Sequence, residues 1–105
     1  MKIYKEKELD DYFWEWTYRA QKMWIHICKE NIEKYGNIGT CVLGAGIYIN
    51  LIPKGKRKPR KYLIIESSEA TNYQGSIIWE DGVEDVLKFL KKYDIEADYH
   101  PGRMD

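Results

Sequence analysis

The chain has 105 residues, a size at which one core buries about 65 % of the surface of the unfolded chain, so a single α+β domain over residues 1–105 is expected. Hydrophobic residues at 44 % and charged residues at 32 % exclude a disordered chain. Lys plus Arg and Asp plus Glu are equal at 17 each, which excludes an overall field drawing the protein to nucleic acid or membrane.

Charge is nevertheless segregated. Six of the 17 basic residues lie in the stretch Lys54 to Lys61 (KGKRKPRK), leaving 11 against 17 acidic residues elsewhere. No run of about 18 apolar residues is present, and MKIYKEKELDDYF lacks the apolar centre of a signal peptide, so a cytoplasmic location with no membrane partner is expected. Cys28 and Cys41 fall on an apolar helix face and in a strand pattern, and are expected to be reduced.

From about Glu8 to Tyr35, Leu9, Phe13, Trp16, Ala20, Trp24, Ile27 and Cys28 recur at spacings of three and four, which predicts a long helix. Asp10 or Asp11 caps its start, and Gly36 and Asn37 end it. A second apolar stripe, Trp14, Tyr18, Ile25 and Ile32, runs along roughly the opposite side. A surface helix needs one such stripe, so the second must be covered by other elements or by a partner.

From Thr40 the pattern turns to β: CVL, then Gly44-Ala45-Gly46, then IYINLI to Pro53. The glycines make either a hairpin turn, which adds a strand, or a bulge in one long strand. After the basic loop, Tyr62 to Glu66 and Ser76 to Trp79 (SIIW) read as strands of a meander joined by the polar segment SSEATNYQG. Asp81 and Glu84 match a capping box, and Val83, Val86, Leu87 and Leu90 give a helix face ending near Lys92. Ile95, Ala97 and Tyr99 alternate, as in a short edge strand before Pro101 and Gly102. The expected fold is thus a long N-terminal helix packed on a small, mostly antiparallel sheet of three to five strands, in the order α-β-β-β-α-β.

The motifs of known chemistries are incomplete. The same element order is found in PD-(D/E)xK nucleases, but here Lys61-Tyr62-Leu63 opens its strand with no Asp, and Trp79-Glu80-Asp81-Gly82 holds no Glu-x-Lys. Double-stranded RNA-binding domains start their second helix with lysines, whereas this one starts with Asp81, Glu84 and Asp85. Gly46-Ile47-Tyr48 has no Tyr-Ile-Gly partner downstream, and Gly44-x-Gly46 precedes a strand rather than a phosphate-receiving helix. His26, Cys28, Cys41 and His100 lack the paired spacing of structural zinc sites, so neither metal nor cofactor is expected.

Two surfaces remain as candidates. Trp14, Tyr18 and Ile25 suit an interface with a protein partner or a second copy of the chain, because large aromatic side chains dominate binding hot spots. Lys56, Arg57, Lys58 and Arg60, with Tyr62 as a stacking neighbour, suit a nucleic acid or nucleotide. The leading expectation is a non-enzymatic binding protein, of inhibitor, immunity or mobile-element accessory type, that occupies a partner's functional surface. A nucleic-acid binder is the alternative. A small hydrolase or nuclease using Glu66, Glu69 or His100 is the third reading, and the absence of a complete motif argues against it.

Overall fold

A computed structural model describes residues 2–36, 42, 43, 45–66, 76–101, 103 and 104. Asn37, Thr40, Cys41, Gly44, the segment 67–75 and Gly102, on which several expectations fall, lie outside these residues. The elements in chain order are β1 (Ile3–Lys5), a 3-10 turn (Glu6–Glu8), α1 (Asp11–Tyr35), β2 (Val42–Leu43), β3 (Gly46–Ile52), β4 (Arg60–Glu66), α2 (Ser76–Glu80), α3 (Val83–Lys92), β5 (Asp98–His100) and β6 (Arg103–Met104).

The α+β class holds: a long N-terminal helix, a small mixed sheet and later helices. Asp10 is the N-cap of α1, its Oδ1 accepting from the Phe13 N–H at 3.0 Å. Gly36 closes the helix at φ 75°, its N–H donating to the Ile32 carbonyl at 2.9 Å. The first apolar stripe packs as its spacing requires. Phe13, Ala20, Trp24 and Cys28 are buried, while Leu9, Trp16 and Ile27 pack partly buried against them.

The central strand is β3. Along one edge it pairs antiparallel with β4 from Gly46 to Leu51. β5 pairs antiparallel with its first half and β1 pairs parallel with its last three residues. Ile47, Ile49 and Leu51 alternate inward as buried residues. Ile47 opposes Ile65 and Tyr48 opposes Leu63, so Ile64 is the extra residue of a β-bulge, and Ile64 and Ile65 are consecutively buried. Gly46 is needed opposite this bulge, since a Cβ there would lie 2.5 Å from the Ile65 carbonyl oxygen. The strand before it, β2, pairs antiparallel with β6. Among the described residues β2 does not pair with β3, so the chain before Gly46 forms a separate strand rather than the first arm of a hairpin with β3.

Two expectations are corrected. Ser76 to Trp79 is not the third strand of a meander but lies in the five-residue helix α2. A short apolar run has no periodicity to separate strand from buried helix. Here tertiary contacts decide: the last carbonyls of a helix have no partner within it, and one face of α1 provides them. Trp24 Nε1–H donates to the Trp79 carbonyl at 3.2 Å. Asn31 Nδ2 donates to the Ile78 carbonyl at 3.0 Å and the Asp81 carbonyl at 2.8 Å, and the Cys28 thiol lies 3.5 Å from the Ile78 carbonyl.

The second correction concerns Asp81, which does not cap α3. Gly82 holds that position in the left-handed region at φ 90°, with no side-chain cap. A Cβ at Gly82 would meet Ile27 Cγ2 at 2.8 Å, so close packing of this turn on α1 selects glycine. Val83, Val86 and Leu90 then bury the inner face of α3.

The sequence pattern missed β1, which is too short to show a period. It places Tyr4 in the core, where the phenol oxygen accepts from the Glu96 N–H at 3.0 Å and the ring meets Phe13 edge-on at 5.6 Å. Trp16 stacks on Tyr93 with centroids 3.5 Å apart, fixing α1 against the end of α3. Asn31→Ala leaves the Asp81 carbonyl without its donor and the Ile78 carbonyl with the Cys28 thiol alone, and urea denaturation should show a loss of about 1–3 kcal/mol. An unchanged midpoint would contradict the role given to Asn31.

Candidate aromatic groove and basic cleft

Trp14 and Tyr18 are exposed on the N-terminal half of α1, at 39 % and 57 %. Ile25 is half-buried further along the helix, and Ile32, the last residue of the second stripe, packs against the core. Tyr62, 40 % exposed, opposes Ile49 in register and so stands on the helix-facing side of β4. It lines, with Trp14, Thr17, Tyr18, Ile64 and Glu66, a groove of about 550 Å³ between α1 and β4. Tyr62 thus joins the helix aromatics, whereas the sequence had grouped it with the basic loop.

Both helix aromatics make contacts within α1. Trp14 meets buried Phe13 edge-on at 5.1 Å, and the Lys22 ammonium lies 4.7 Å from the Tyr18 ring. Thr17 is buried in a helix, and its hydroxyl donates to the Phe13 carbonyl at 2.8 Å. Among the described residues β4 pairs only with β3, so its other backbone edge borders the groove.

Lys56, Arg57 and Lys58, on the connection between β3 and β4, and Arg60, the first residue of β4, are all exposed. Lys56 also lines a cleft of about 590 Å³ with Lys54, Ile52 and Pro53 and, from the N-terminal segment, Lys5, Glu6 and Lys7. Sequence reasoning missed Lys5 and Lys7, because only the parallel pairing of β1 with β3 brings them there.

The groups considered for catalysis or metal binding are dispersed. His26 Nε2 lies 2.6 Å from Glu30 Oε1 on the exposed side of α1. Glu66 and His100 flank Gly46 in register, on β4 and β5, and the His100 ring lies edge-on to Tyr48 at 6.2 Å. Glu69 lies outside the described residues. Among the described residues no three His, Cys, Asp or Glu side chains are grouped to hold a metal ion. No described helix is long and apolar enough to cross a membrane.

Comparison of the chain with protein-family models, curated proteins and solved structures gave no match.

Cys28 is a free, buried thiol. Burial disfavours the thiolate and pushes its pKa up to about 12. Burial likewise raises the Tyr99 phenol, aided by the negative charge of Glu80, and its hydroxyl is buried without a hydrogen-bond partner among the described residues. A pKa raised on folding means the native state holds the proton more tightly. The resulting stability is complete below about pH 9 and is lost as pH rises towards 12. In a Cys41→Ser background, Cys28 should resist a thiol reagent at pH 8 until denaturant is added, and the melting temperature should fall above pH 9. Rapid labelling of the native protein would contradict this burial.

Proposed function

We propose that this protein is a non-enzymatic binding protein that occupies a functional surface of a partner protein through the groove of Trp14, Tyr18 and Tyr62. The observation that carries this reading is the convergence of three exposed aromatic side chains, from two elements far apart in sequence, on one groove. Large aromatic surfaces with few rotatable bonds lose little entropy when they dock, which is why a few of them dominate binding energies. The bordering backbone edge of β4 adds donors and acceptors that an extended segment of a partner pairs with. Charged residues beside the groove, Lys22 and Glu66, orient the partner more than they hold it.

Nothing in the internal packing requires Trp14 or Tyr18 to be so large, since each leaves more than a third of its surface in solvent. Two such exposed side chains at adjacent turns of one helix fit a binding role better than a core role. Inhibitor, immunity and mobile-element accessory proteins act in this manner, by covering a surface that another macromolecule needs.

The test is co-purification of the tagged protein with its partner, followed by titration of the isolated pair. Trp14→Ala with Tyr18→Ala should weaken binding by about 30-fold or more, as expected when hot-spot residues are truncated. Stability should change by less than about 1 kcal/mol. If the partner in solution is a second copy, the same double variant should convert a dimer to a monomer in sedimentation velocity. Unchanged affinity and unchanged association state in a folded double variant would overturn the proposal.

A further inference from the structure

Lys5 pairs in register with Ile52, so the N-terminal segment runs beside the chain as it enters the basic loop. That loop begins as a defined turn. The Lys56 N–H donates to the Pro53 carbonyl at 3.0 Å, and Gly55 takes φ 79°, as the third residue of a type II turn does. Lys54 and Lys56 are therefore placed on either side of Gly55, facing a cleft whose other contributors include Lys5 and Lys7.

The protein's own acids do not neutralise this cluster. Among the described residues none of Lys5, Lys7, Lys54 or Lys56 forms an ion pair. The nearby Glu8 is engaged by Lys2 at 3.0 Å, and that hydrogen bond holds the Glu8 carboxyl below its ordinary range. Glu6 is the one acid lining the cleft. Arg57, Lys58 and Arg60 continue the positive surface outward, all exposed. Four lysines with Glu6 as the one lining acid leave the cleft net positive, and a chain of phosphates relieves the remaining repulsion while releasing its own counterions.

Among the described residues no aromatic side chain lines the cleft. Tyr62 lines the separate groove on the helix side, and Tyr48 lies under the Lys61 ammonium at 5.0 Å. Ile52 and Pro53 supply the apolar part of the lining. We infer that this cleft, continued by Arg57, Lys58 and Arg60, binds nucleic acid by gripping its phosphodiester backbone without reading the bases. The cleft shares no lining residue with the aromatic groove, which leaves each surface its own partner, nucleic acid on one and protein on the other.

Fluorescence anisotropy with labelled 20-nucleotide oligo-dT, oligo-U and a mixed-sequence duplex tests the inference. At 50 mM salt the protein should bind these probes with little dependence on base sequence. Seven cation contacts, from the four lysines of the cleft with Arg57, Lys58 and Arg60, give a slope of log affinity against log salt of about −5 for single strands and about −6 for duplex. Lys5→Gln with Lys7→Gln should weaken binding about tenfold and flatten that slope, as should Lys54→Gln with Lys56→Gln. Lys88→Gln with Lys91→Gln on α3, a charge-matched control, and the Trp14→Ala, Tyr18→Ala variant should leave it unchanged. Absence of binding at 50 mM salt would overturn the inference. So would affinity indifferent to Lys5 and Lys7, or binding only to phosphatidylserine-containing vesicles.

Discussion

Trp24, Cys28 and Asn31, on one face of α1, meet the carbonyl end of α2, and the arrangement of the remaining elements depends on that junction. A five-residue helix does not form by itself in water, because nucleation fixes several dihedrals for little return. Its terminal carbonyls, if buried without donors, add a cost of about 1–3 kcal/mol each. The spacing of four and three residues along α1 sets the indole N–H, thiol and amide against the Trp79 and Ile78 carbonyls, removing that cost. With α2 fixed, Trp79 is buried against the Trp24 ring, and Gly82 turns the chain tightly over Ile27 into α3. α3 in turn delivers Phe89 and Tyr93 to Trp16.

The two long helices were legible in the sequence because their apolar residues recur over enough turns to define a face. α1 starts at its Asp10 cap and stops at Gly36, and α3 ends at Lys92, as the pattern indicates. The segment SIIW was not legible. Its residue types favour a strand, and the donors that make it a helix lie about 50 positions earlier in the chain. β1 was hidden for a related reason: three residues carry no period, and their pairing is parallel and distant in sequence. Gly82 in place of Asp81 as the cap shows the same override, since contact with Ile27 decides which residue fits the turn.

The candidate surfaces were legible in part. The surplus stripe on α1 was visible, and Trp14 and Tyr18 are indeed left in solvent, but Ile32 is drawn into the core and Ile25 is half-covered. That Tyr62 completes the aromatic groove follows only from the register of β4 on β3. Lys5 and Lys7 look like ordinary surface residues until β1 is placed beside Ile52. Both surfaces therefore combine a local feature that the sequence displays with residues that the sheet brings in from elsewhere. The inner face of α1 builds the fold, and its outer face is free to be used.

Native-state hydrogen exchange followed by NMR tests the organising role of α1 most directly, because it reports the opening free energy of each element separately. If the face of Trp24, Cys28 and Asn31 holds α2, amides of residues 78–80 exchange with the same free energy as amides of residues 24–31, by global unfolding alone. Exchange of α2 at a much lower free energy, while the centre of α1 remains protected, would contradict that role.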